Sequence, residues 1–176
     1  ANLYFFTEST DTGSTYVDQY YQALVEVKDN YTEIGSTLST SILVDVNTLS
    51  AFSIGQSLVY GEVFAGSDTG SSNTVTTVTN TGNSLINLEI TGDYMCTNYP
   101  PCDGQSIEPH YQQYDINTFT YGTGSTLSLA PTIIEVGISK PTENPSNSTQ
   151  NLYWGIGIPS LKPPGNYQGS VIILVD

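Results

Sequence analysis

Few residues in this chain have the type and spacing to do chemistry. Cys96 and Cys102 are the only cysteines, and they bracket Thr97-Asn98-Tyr99-Pro100-Pro101. Two cysteines in a secreted chain pair as a disulfide. The ring is small, so loop closure contributes about 2 kcal/mol. A zinc site would need further ligands, and His110 is the only histidine. His110 also limits nucleophilic catalysis, which needs a base beside a nucleophile; it lies between Pro109 and Tyr111 on an expected strand edge, and the chain has no Gly-x-Ser-x-Gly elbow. Glycoside cleavage by paired carboxylates depends on spatial rather than sequence spacing, and no acid stands out in an aromatic-rich stretch. Asp93, Asp103 and Glu108 gather near the cysteine loop, but no Asp-x-Asp-x-Asp run offers calcium its oxygens. They read as solvated turn acids. No catalytic residue, cofactor or metal ligand is expected.

Modification chemistry is better represented. Asn30-Tyr31-Thr32 and Asn147-Ser148-Thr149 match the N-glycosylation pattern, and both read as loops. Asn30 and Asn147 are therefore the expected glycan sites. A Lys–Asn or Lys–Asp isopeptide lock would have to start from Lys28, Lys140 or Lys162, the only lysines.

The background composition narrows the function class. The chain has 176 residues, three lysines, no arginine, 17 carboxylates and a net charge of −14. Phosphate recognition needs a basic face, so nucleic acid is excluded as a partner, as is an anionic membrane surface. No run approaches the ~20 apolar residues of a membrane span. Ser, Thr, Asn and Gln supply 64 residues against 20 charged ones. Solubility therefore rests on groups that do not titrate, which suits an acidic exterior. If crowding raised the folded-state pKa values of the acids, stability would be gained as pH falls. The start at Ala1 reads as a mature product with its leader removed, hence an extracellular protein secreted with a cleaved signal peptide.

The elements that must carry these residues read as strands, since no helical period is sustained. Val17, Gln19, Tyr21, Ala23, Val25 and Val27 alternate with wetter neighbours. Further strands are expected over 37–46, 50–65 (broken at Gly55 or Gly61), 74–79, 84–91, 107–121, 126–129, 132–138, 152–158 and 169–175. Asn80-Thr81-Gly82-Asn83 reads as a turn whose Gly and Asn can take positive φ. Nine or more short strands at this spacing predict an all-β, two-sheet sandwich, immunoglobulin-like or jelly roll. Trp154 is the expected anchor between the sheets. One domain is expected over 16–176, preceded by a donor strand and tether over 1–15.

That amino-terminal segment is the strongest functional signal. Leu3, Tyr4, Phe5 and Phe6 are apolar on both faces of an extended strand, and a polar run from Thr7 to Thr15 follows. Such a patch must bury itself. It can fold back as an edge strand of its own sandwich, or insert into a neighbouring subunit by β-augmentation. Insertion into a neighbour makes a head-to-tail contact that grows an open filament.

The short apolar start, Val78-Thr79-Asn80-Thr81-Gly82-Asn83, and the ending from Leu161-Lys162-Pro163-Pro164-Gly165-Asn166-Tyr167 through Ile173 resemble archaeal surface pilins of the thread and bundling type, themselves related in fold to bacterial TasA-type biofilm fibre proteins. The resemblance implies a sandwich subunit polymerised by donor strands with identical copies, carrying covalent N-glycans, and serving adhesion and biofilm formation. Carried onto this chain, the donor is about Ala1–Thr10; no motif marks the acceptor groove. The alternative is a monomeric secreted sandwich that binds carbohydrate or a surface with some of its 13 tyrosines.

Overall fold

The computed structural model describes residues 6–22, 24–28, 34–38, 43–55 and 57–176. Leu3, Tyr4, Phe5 and Asn30 lie outside the described residues. The strands are β1 (Leu24–Lys28), β2 (Ile34–Leu38), β3 (Phe52–Ile54), β4 (Thr74–Asn80), β5 (Ile86–Gly92), β6 (Met95–Cys96), β7 (Ser106–Ile107), β8 (Gln112–Asp115), β9 (Ser125–Thr126), β10 (Thr132–Ile138), β11 (Thr149–Ile156) and β12 (Val171–Val175). All pairings are antiparallel. One sheet runs β3-β4-β11-β8-β9 and the other β10-β5-β12, with two small ribbons, β1-β2 and β6-β7. The expected all-β sandwich is the architecture observed.

The core forms where period-2 alternation turns one face of each sheet inward. Ile86, Leu88 and Ile90 of β5 meet Val78 of β4 and Leu152 and Trp154 of β11, all essentially without solvent exposure. Trp154 sits between the sheets as expected; its indole Nε1 donates to Thr76 Oγ1 at 2.8 Å, and its ring meets Tyr114 at 5.7 Å between centroids. The bond to Thr76 lets a polar ring edge be buried without penalty.

Asn80 is a buried polar residue with a structural task. Its Nδ2 lies within hydrogen-bond distance of the carbonyls of Ser84, Ile138 and Ser139, and its Oδ1 accepts from Gly82 N at 2.8 Å. One amide thus holds the β4–β5 turn to the end of β10. The turn falls where expected, but neither Gly82 nor Asn83 takes positive φ. Gly82 is needed for closeness instead, because a Cβ there would collide with the Leu49 carbonyl.

Several expected strands are shorter than the alternation implied. Residues 11–18 form turns, with Gln19 N donating to Tyr16 O at 2.9 Å, so this pairing begins only at Tyr21, which exchanges backbone bonds with Val44. β2 covers Ile34–Leu38 rather than starting at Thr37. Among the described residues of 50–65 only Phe52–Ile54 forms a strand, and Gly61 at φ +74° interrupts extended backbone. The expected strand over 107–121 is broken by Pro109, which has no N–H to donate and opens a 3₁₀ turn over Pro109–Tyr111. It ends at Asp115, whose carboxylate accepts from Asn117 N at 2.9 Å and turns the chain.

The stretch expected to be a loose tether is bonded to the body. Thr10 is buried; its N–H donates to Val46 O at 2.8 Å, while its hydroxyl donates to Asp45 and accepts from Val46 N. Glu8 pairs with Lys140 Nζ at 2.6 Å, and Tyr21 OH contacts the backbone of Glu8. Asp11 accepts from Thr48 N and Oγ1 at 2.8 and 2.7 Å. These bonds, led by the one from Thr48 N–H, hold the Asp11 carboxyl below its ordinary value of 3.8. A depressed carboxylate stabilises the fold above its unfolded pKa and loses that contribution as pH falls through the folded one. For Asp11 the sign is therefore opposite to the crowding expectation. An Asp11→Asn variant is expected to lose less stability than the parent between pH 5 and pH 2. Denaturant unfolding at the two pH values checks this, and an equal loss in both chains would refute it.

Candidate functional site

The two sheets do not close equally at their edges, and the difference defines the site. Exposed strand edges invite pairing and are usually blunted. β3 and β9 are blunted by being only three and two residues long. β10 follows Pro131, carries Glu135, and shifts register between Ile134 and Ile138, where Gly137 takes φ +57°. β12 has none of these devices. It reads Val-Ile-Ile-Leu-Val, without charge, proline or glycine. It pairs with β5 on one side, and among the described residues its other side has no main-chain partner.

A groove of about 660 Å³ opens beside that free edge. Val171 and Ile173 of β12 form one wall, Leu58 and Tyr60 the other, and Thr76, Gln112 and Trp154 line it from the opposite sheet. None of its lining residues is charged, in a chain of net charge −14. Val171, Ile173 and Val175 face the core yet remain only partly buried. The inward face of β12 thus lacks the cover that β5 enjoys.

The polar groups of the groove are neutral donors and acceptors. Tyr60 OH donates to Gln112 Oε1 at 3.0 Å. Burial, with a smaller contribution from Tyr121, pushes the Tyr60 phenol far above its ordinary range, so it stays a neutral donor. Gln112 is 2% exposed, and its Nε2 has no hydrogen-bond partner among the described residues. A buried unpaired donor costs about 1–3 kcal/mol, and Gln112 Nε2 is one of three such atoms among the described residues, with Ser14 Oγ and Asn73 Nδ2.

The cystine loop supports one wall. Cys96 and Cys102 are bonded as expected, with Cα atoms 5.1 Å apart. Cys96 N donates to Gln168 O at 2.6 Å, and Gln168 N returns a bond to Cys96 O at 3.0 Å. This ties the buried Cys96 to the stretch that leads into β12, while Tyr99 of the loop and Tyr167 line the groove. Replacing both cysteines by serine is expected to cost about 2 kcal/mol. Denaturant unfolding would read this as a lower midpoint; an unchanged midpoint would refute it.

The remaining sequence candidates lie apart from the groove. His110 sits in the 3₁₀ turn rather than on a strand edge; its Nδ1 is 3.1 Å from Glu108, and its ring stacks on Tyr111. Asp93 accepts from Tyr94 N, and Asp103 from Asn98 Nδ2, as turn acids do. Among the described residues no three His, Cys, Asp or Glu side chains gather as a metal set. Lys140 is engaged by Glu8 and by the Phe6 carbonyl. Asn147 is exposed, in a loop where its amide bonds with Thr142. Phe6, the described member of the apolar tetrad, is 40% exposed. Among the described residues no helix is long and apolar enough to cross a membrane. Gln112 and Tyr60 were missed by motif reasoning, because a neutral amide and a phenol carry no sequence signature.

No protein-family model matches the chain, and neither a curated protein nor a solved structure does.

Proposed function

We propose that this chain is the structural subunit of an extracellular filament, assembled head to tail by insertion of one subunit's amino-terminal strand into the next, and serving adhesion and biofilm formation. The observation that carries this reading is the free edge of β12 beside an uncharged groove that leaves Val171 and Ile173 part-covered. An added strand would satisfy the main-chain groups of β12 and cover its inner face, which is how β-augmentation obtains both affinity and specificity. Leu3–Phe6 is apolar and uncharged, as such a groove requires.

Reach favours a neighbour over self-insertion. Phe6 O lies 3.5 Å from Lys140 Nζ, close to where Ile138 pairs with Ile86 at the start of β5. The groove opens at the other end of β5, where Gly92 pairs with Val171, and beyond β12. That is about 20 Å along the strands and about 14 Å across them. Leu3, three residues before Phe6, lies at most about 10 Å from it along extended chain, so the apolar Leu3–Phe5 falls short of the groove of its own subunit.

On this reading the exposed Asn147 carries an N-glycan, and the chain belongs with the archaeal thread and bundling pilins it resembles. The alternative of a monomeric carbohydrate-binding module draws on Tyr60, Tyr99 and Tyr167, which line the same groove; the bare β12 edge favours a strand over a sugar. Negative-stain imaging of the full chain separates the two. Filaments support the first reading, and monodisperse small particles would end it.

A further inference from the structure

The groove has two walls, and the second is itself an unpaired stretch of chain. Ser57–Tyr60 alternates outward and inward as a strand does: Ser57 and Val59 are exposed, while Leu58 and Tyr60 pack against the core. Yet it belongs to no sheet. Among the described residues its main chain makes one hydrogen bond, from Thr74 Oγ1 to Val59 O at 3.0 Å. Buried or half-buried backbone is normally paired, so this stretch has the side-chain pattern of a strand and lacks its partner. It and β12 both line the groove.

We infer that a strand entering this groove pairs on both sides, with β12 on one and with Ser57–Tyr60 on the other, so that the sheet β10-β5-β12 grows from three strands to five and matches the five-stranded sheet opposite. The inference rests on the filament reading above and commits to its occupant, the segment Ala1–Phe6 of a second copy. Three observations point to that occupant. Phe6 is exposed and follows the apolar Leu3–Phe5 in sequence. The groove presents no charged side chain, and neither does Ala1–Phe6. Gln112 Nε2, buried in the wall and unpartnered, offers a hydrogen bond that a strand's backbone carbonyl accepts. Alternate side chains of the entering strand then face Trp154, and the others face out beside Ile172 and Leu174, which are each half exposed.

A strand held on both edges cannot leave by fraying along one ladder. Two rows of main-chain bonds must open together, which raises the kinetic barrier to losing a subunit.

Backbone hydrogen exchange tests the inference directly. The monomeric full chain is compared with and without an excess of a synthetic peptide of sequence Ala1–Thr10. Amides in both Val171–Val175 and Ser57–Tyr60 are expected to slow by about a hundredfold on adding the peptide. Slowing confined to Val171–Val175 would overturn two-sided pairing while leaving the filament reading intact. No slowing in either segment would overturn both, since the peptide would then have no place beside β12.

Discussion

A chain lacking Ala1–Phe6 is expected to fold with an unaltered core and to form no filaments. Apart from the 3.5 Å contact of the Phe6 carbonyl with Lys140 Nζ, which the deletion removes, the bonds that tie the amino-terminal stretch to the body start at Glu8: its ion pair with Lys140, the contacts of Thr10 with Asp45 and Val46, and those of Asp11 with Thr48. These survive the deletion. The Glu8–Lys140 pair is partly exposed and contributes at most about 1 kcal/mol, so even imperfect retention changes stability little. On the filament reading, the deletion removes the apolar donor and leaves the groove beside β12 unfilled in every subunit. Sedimentation and negative-stain images should find particles of one subunit, or amorphous aggregates joined through the exposed β12 edge. Adding the synthetic Ala1–Thr10 peptide should suppress such aggregates. Filaments of normal length from the shortened chain would refute donor-strand assembly. The deletion stops short of Thr10 for a physical reason: Thr10 is buried and makes three hydrogen bonds, so removing it would damage the subunit and confuse loss of assembly with loss of fold.

The largest stability effect is expected at Trp154. Replacement by alanine empties the space between the sheets and leaves the Thr76 hydroxyl without its donor. A buried Trp→Ala change costs about 3–5 kcal/mol, a large share of the ~5–15 kcal/mol typical of a domain. Trp154→Phe separates the two contributions: it retains an apolar ring and loses only the Nε1 bond, for a cost of about 1–2 kcal/mol. Denaturant midpoints of the two variants check this order. A loss under 1 kcal/mol for the alanine variant would mean that the indole is not the anchor of the sandwich. Because Trp154 also lines the groove, the phenylalanine variant should still assemble, more weakly than the parent.

How much could be read from the residues depends on where each one's partner lies. β10 was legible to the residue, because Thr132–Ile138 follows Pro131 and alternates until it meets a loop. β4, β5 and β11 were legible to within a few residues, since one face of each is fully buried and a period of two is then forced. The same alternation misled over 16–20 and 55–65. There, apolar residues at period two are exposed or pack beside the core without a backbone partner, and alternation records which side is wet rather than whether a neighbouring strand exists. The disulfide was legible because two cysteines allow a single pairing.

The sequence by itself determined the all-β class, the sandwich with Trp154 between its sheets, the Cys96–Cys102 bond, and the presence of a short apolar segment at the amino end. Those follow from local period, from counting, and from the cost of leaving apolar surface in water. Only the tertiary structure decided which strand edge stands without a described partner beside a groove. The groove draws Leu58 and Tyr60 from an unpaired stretch, Gln112 from β8, Trp154 from β11 and Ile173 from β12, so its walls are separated by more than a hundred residues along the chain. An unpaired edge is a property of strand order in a sheet. Antiparallel pairing joins segments at any sequence distance, and no periodicity within β12 could reveal that β5 covers one of its sides and nothing described covers the other.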